Sequence, residues 1–219
     1  MRFHLAVIIA LWWGGAALAL PTPERIAGDT GSVAVLARPC IVVNTTGRMD
    51  LAYSGMARAF ASPDLLGDMQ REYALQLPAG EQPEFVIQQQ APGSYHYVNR
   101  LGQESFIREV HRAEHEGPVT ELVLHTWGRR FFGRYEAVIH IAVQPGEGPD
   151  LDYQAVVYAY PENGVSRFLA RHLGLVERYF RSKTAEIESL SVRLGAALCA
   201  PEVAVSPAGG TPPAPRSVH

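Results

Sequence analysis

The chain has 219 residues, of which 47% are hydrophobic, 19% charged and 9% aromatic, with 19 Lys and Arg against 22 Asp and Glu for a net charge of −3. That is the composition of a globular protein and excludes a disordered, collagen-like or coiled-coil chain. A slightly acidic balance offers no basic footprint to a phosphate backbone and argues against nucleic-acid binding.

The N-terminus reads as a targeting segment. Met1-Arg2-Phe3-His4 is weakly positive, Leu5 to Trp13 is apolar, and Gly14-Gly15 precede the small-residue triplet Ala17-Leu18-Ala19. This is the form of a secretory signal peptide over residues 1–19, cleaved after Ala19 or Leu20. The alternative, a membrane anchor, is opposed by the two glycines and by an apolar run short of the roughly 20 residues a spanning helix needs. The mature chain is therefore expected to be exported, periplasmic or secreted. Residues 20–31, with Pro21-Thr22-Pro23, read as a linker, and the Pro- and Gly-rich stretch 201–219 reads as a disordered tail. A single domain over residues 32–200 is long enough to bury its own core.

Export gives meaning to the only two cysteines, Cys40 and Cys199, which lie near the two ends of that domain. An oxidising compartment favours a disulfide between them, and on the chain-entropy model so long a loop gains up to about 5 kcal/mol. The alternative is two independent buried thiols. They lack Cys-x-x-Cys spacing, and two thiolates alone do not make a zinc site.

Along the domain, Val33, Val35, Ile41, Val42 and Val43 predict a first strand, with Pro39 marking an edge or bulge. Met49, Tyr53, Met56 and Phe60 then follow helical spacing. A second short helix is predicted with Ser62 as N-cap, Pro63 at its first position, and Leu66, Met69, Tyr73 and Leu77 as its stripe. From Glu84 the period becomes two. Strands are predicted at Phe85–Gln90, Ser94–Arg100, Glu104–Ala113, Thr120–Trp127, Tyr135–Val143 and Leu151–Tyr160, joined by short Gly- and Pro-containing turns as an antiparallel meander. Finally Phe168, His172, Val176, Tyr179, Lys183, Ile187, Leu190, Leu194 and Leu198 form one helical stripe. A helix from Val165 to Leu198 would be about 51 Å long against a core about 40 Å across, so a break is predicted near Gly174.

One strand, two short helices, six antiparallel strands and a long C-terminal helix predict an α+β fold with a curved antiparallel sheet of about seven strands. This order of elements, from Val33 to Leu198, resembles the START-like or Bet v 1-like helix-grip superfamily. The resemblance implies a sheet wrapped around the C-terminal helix, with space between them for a lipid, sterol, polyketide or other apolar ligand. Tyr135, Ala137, Ile139, Ile141 and Val143, and likewise Leu151, Tyr153, Ala155, Val157 and Ala159, alternate with polar residues and are expected on the concave face. The alanines there either admit the helix closely or leave room for a ligand.

Arg108, Trp127, Arg130, Tyr135, Tyr153, Phe168 and His172 are the expected ligand-binding residues, the arginines pairing with an anionic group at the mouth. No cofactor is expected. His111-Arg112-Ala113-Glu114-His115 lacks the Glu that must follow the first His of a helical zinc motif, so these residues read as a solvated strand end and no metal is expected. His125 or His140, oriented by Glu121 or Glu136, could act as a general base of a cyclase or isomerase in the same cavity. Arg129, Arg130 and Arg134 flank Phe131-Phe132 in a basic aromatic turn suited to an envelope or membrane-surface partner. A non-catalytic interaction module with a filled core is the competing expectation, and Asn44-Thr45-Thr46 fits a glycosylation sequon.

Overall fold

The computed structural model describes residue 26 and residues 28–114, 119–130, 133–148, 150–164, 167 and 174–199. The elements are α1 (Thr30–Leu36), β1 (Ile41–Met49), α2 (Tyr53–Ala61), α3 (Leu65–Leu75), β2 (Phe85–Ala91), β3 (Ser94–Asn99) and β4 (Glu104–Glu114). They continue as β5 (Thr120–Arg130), β6 (Gly133–Pro145), β7 (Leu151–Pro161) and α4 (Leu175–Cys199). The seven strands form one antiparallel sheet in the order β1-β7-β6-β5-β4-β3-β2. The meander is thus local from β2 to β7, and β1 closes it by pairing with β7, Ile41 opposite Ala159 through Met49 opposite Leu151.

The first predicted strand requires correction. Val33 and Val35 lie in α1, because Asp29 caps that helix by accepting the Ser32 N–H at 2.9 Å and the Ser32 hydroxyl at 2.6 Å. Pro39 follows the helix end, where it cannot continue the helix, and β1 begins only at Ile41. Local valine preference yields here to capping and to burial, since Val35 is 0% exposed against the sheet. Ile26 and Asp29, from the stretch expected to be linker, are likewise buried.

Met49 closes β1 rather than opening a helix, while Met56 and Phe60 of α2 are buried as their spacing requires. The N-cap of α3 is Asp64, two residues after the predicted Ser62, and it accepts from the Gly67 N–H. Ser62 acts one turn earlier, accepting from the Asp64 N–H and donating to Asp68. The C-terminal helix starts directly after Gly174, whose φ of +61° is left-handed, and the predicted stretch before it, residues 168–173, lies outside the described residues. At 25 residues α4 is about 37 Å long and fits the sheet.

The expected disulfide is also corrected. Cys40 is a free thiol that donates to the Val35 carbonyl oxygen at 3.2 Å, at the junction of α1 and β1. The side chain of Cys199 lies outside the described residues.

The sheet has two covered faces. The inner face carries α2, α3 and α4, with Met56, Phe60, Leu65, Leu122, Leu190 and Leu194 in its main core. The outer face carries α1, whose Val35 packs with Ile26, Val123 and Val138. A bulge between Glu109 and His111 shifts the β4–β5 register. Arg112, just past it, pairs with Glu109 and donates to the carbonyls of Phe60 and Ser62, tying the α2–α3 corner to β4.

Candidate functional site

Between the inner face and α4 lies a cavity of about 220 Å³. Strict alternation along the central strands supplies its floor: Leu122, Leu124 and Thr126 from β5, Ile139 and Ile141 from β6, and Tyr153, Ala155 and Val157 from β7. The two faces predicted to be concave on β6 and β7 do face inward. Helices α2 and α3 wall one end with Met56, Phe60 and Met69, and α4 roofs it with Tyr179, Phe180, Lys183 and Leu190.

Most polar groups on this lining are turned toward other protein groups. The Tyr153 hydroxyl donates to Glu188 Oε2 at 2.7 Å, and its pKa is pushed up to about 12 by burial and by that carboxylate. Gly47 on β1 leaves room for the Tyr153 ring, since a Cβ there would sit 2.6 Å from it. Lys183 pairs with Glu186 and lies over the Phe85 ring. The Tyr135 hydroxyl lies 3.2 Å from Ser105 Oγ and 3.3 Å from Thr126 Oγ1. Gln70 accepts from the Ile87 N–H at 3.2 Å.

Arg130 stands at the other end, on the last residue of β5, and is 7% exposed. Its Nε donates to the Tyr179 hydroxyl at 3.2 Å and its Nη1 to the Arg129 carbonyl at 2.9 Å. The guanidinium carbon lies 4.2 Å from the Tyr97 ring centroid and 5.8 Å from that of Tyr135. Burial drives the Tyr97 hydroxyl far above its ordinary pKa of 10, with the Arg130 charge opposing only part of the effect. Both tyrosine hydroxyls facing the cavity ends are therefore neutral donors at any physiological pH.

Of the seven expected ligand-binding residues, the structure brings Arg130, Tyr135 and Tyr153 together on the cavity. Arg108 and Trp127 belong to the outer face and are corrected accordingly. Trp127 alternates with inward Thr126, stacks on Phe106 at 5.8 Å, lies tilted against His125 at 4.9 Å, and has the Arg108 guanidinium 5.7 Å from its ring. Arg108 pairs with Asp29. Phe168 and His172 lie outside the described residues. Tyr97, Tyr179, Glu188 and the methionines were missed as a set. Tyr179 sits on the predicted α4 stripe and Tyr97 shares a face with buried Tyr95, but sequence spacing does not say which face of β3 turns inward.

His125 and His140, the two expected candidates for a general base, do not line this cavity. His125 lies on the outer face, its Nδ1 3.4 Å from Asp29 Oδ2, with Gly31 packed directly against its ring. Burial lowers its pKa, with the Asp29 charge opposing. His140 faces outward too, buried with its Nε2 3.6 Å from Glu121 Oε2. His115 lies outside the described residues. Arg129 and Arg134 are exposed beside the β5–β6 turn.

Fold and site together define an α+β, helix-grip-like domain that encloses an apolar cavity between sheet and C-terminal helix. No family model matches the chain, and no curated protein matches it in sequence. Solved structures similar to it include a conserved protein from Geobacillus kaustophilus, with 12% identity, TM-score 0.49, and coverage of 72% of this chain and 97% of that one. A hypothetical protein from Helicobacter pylori has 9% identity, TM-score 0.49, and coverage of 80% and 95%. Norcoclaurine synthase from Thalictrum flavum, solved with dopamine and hydroxybenzaldehyde, has 13% identity, TM-score 0.48, and coverage of 75% and 91%.

Proposed function

We propose that this chain is an exported small-molecule-binding protein, a distant relation of the START-like or Bet v 1-like superfamily, that holds an apolar or amphipathic, lipid-like ligand without transforming it. The observation that carries this reading is the inner cavity, whose floor and walls are aliphatic, methionine and aromatic side chains with few polar groups among them. Both candidate catalytic histidines face away from it, which favours holding over chemistry. Arg129 and Arg134, exposed at the β5–β6 turn, supply the charge for an envelope or membrane surface where a ligand would be collected.

The test is native mass spectrometry of the protein purified from its own compartment, followed by denaturing extraction. A stoichiometric apolar mass that leaves on denaturation is expected. A clean apo mass, with no uptake of added hydrophobic compounds, refutes the reading and favours an interaction module with a filled core.

A further inference from the structure

The cavity is chemically polarised along its length. On β5 the inward residues run from Leu122 to Arg130, about 26 Å at 3.3 Å per residue. At the Leu122 end the surroundings are Met49, Met56, Phe60 and Leu194, and at the other end they are Arg130, Tyr97, Tyr135 and Tyr179.

Arg130 is the unusual member of that second group. A guanidinium offers five N–H donors in a planar fork, and the structure engages two of them. Among the described residues no carboxylate forms an ion pair with it, and the cavity carboxylates Glu186 and Glu188 are committed to Lys183 and Tyr153. The stretch 165–173 contains no Asp or Glu that could supply one. A charge buried this deeply is costly unless it is paired, and two tyrosine faces offset only part of that cost.

We propose that Arg130 is the anion receptor of the cavity, and that the ligand is an amphiphile with a single carboxylate head on Arg130 and an apolar body directed toward Met56 and Leu122. The carboxylate matches the planar fork of the remaining N–H groups and takes two parallel charge-assisted hydrogen bonds. This rests on the reading of the cavity as a ligand site and adds to it the polarity and direction of the ligand.

The experiment compares dodecanoate, dodecan-1-ol and dodecyl phosphate by calorimetric titration of the intact protein at pH 8, the two anions below their micellar concentrations and the alcohol below its solubility limit. Dodecanoate is expected to bind about 10-fold or more tighter than the alcohol, the scale of a charge-assisted hydrogen bond set against a neutral one. In Arg130→Met the preference of acid over alcohol should vanish, and Arg130→Lys should keep part of it. Equal wild-type affinity for acid and alcohol overturns the role of Arg130 and leaves the cavity reading intact. Failure of all three to bind overturns both, and tighter binding of the phosphate overturns the choice of carboxylate. Equal wild-type affinities overturn the assignment even if the Arg130 variants fail to fold.

Discussion

Replacing Asp29 by Ala should undock the α1 segment from the outer face, and the structure sets the size of the effect. The carboxylate accepts two bonds from Ser32 as the helix cap, and losing such a cap costs about 1 kcal/mol. Its pairing with Arg108, whose side chain is 45% exposed, adds roughly 0.2–1 kcal/mol after solvent screening. A loss of about 1.2–2 kcal/mol is therefore expected in urea unfolding at pH 7. Asp29→Asn, which keeps an acceptor for Ser32 and loses the charge, should recover about half of it. Hydrogen exchange of the amides around Val33 to Val35 should accelerate in Asp29→Ala before exchange rises in β5 and β6. A loss below about 0.5 kcal/mol, or an Asn variant as unstable as the Ala variant, would refute this account of how the segment is held.

Acid should weaken the same contact. Folding holds His125 neutral, its pKa lowered by burial from the ordinary 6.5, so its contribution is whole above pH 6.5 and declines as pH falls from there to the folded value. Asp29 adds a second decline below its ordinary 3.8: burial raises its pKa, but the Ser32 hydrogen bonds and the Arg108 charge bring the net value lower. The urea midpoint should drop between pH 7.5 and 5.5 in wild type and flatten in His125→Gln; a flat wild-type profile contradicts the argument. In the cavity, Tyr153→Trp should abolish uptake of hydrophobic probes with the fold intact by circular dichroism, and undiminished uptake removes Tyr153 from the site. Gly195→Leu should cost about 1–3 kcal/mol, because a Cβ at Gly195 already sits 2.5 Å from the Leu51 side chain and a larger group must lift α4. Wild-type stability in that variant would mean α4 is not seated there. Cys40 should alkylate slowly under native conditions at pH 8, since burial raises its thiol pKa, and a native chain two hydrogens lighter than the reduced one would show the bridge instead.

The sequence by itself determined the inner sheet and the helix that covers it. Strands β2 to β7 are legible because each is a run of alternating character between turn residues, and alternation alone assigned Tyr135, Ile139, Tyr153 and Val157 to one face. The α4 stripe was legible for the same reason at a period of 3.6, and that helix begins directly after Gly174. Tertiary structure decided what local pattern could not. Val33 and Val35 favour a strand in isolation, and become helix because a capping carboxylate and an outer sheet face are both within reach. Arg108, Trp127 and His125 looked like cavity residues by type, but their register on β4 and β5 turned them outward. Arg130 keeps its place at the cavity by that same register, and its neighbours there, Tyr97, Tyr135 and Tyr179, are far apart in sequence and meet only once the sheet and α4 have packed.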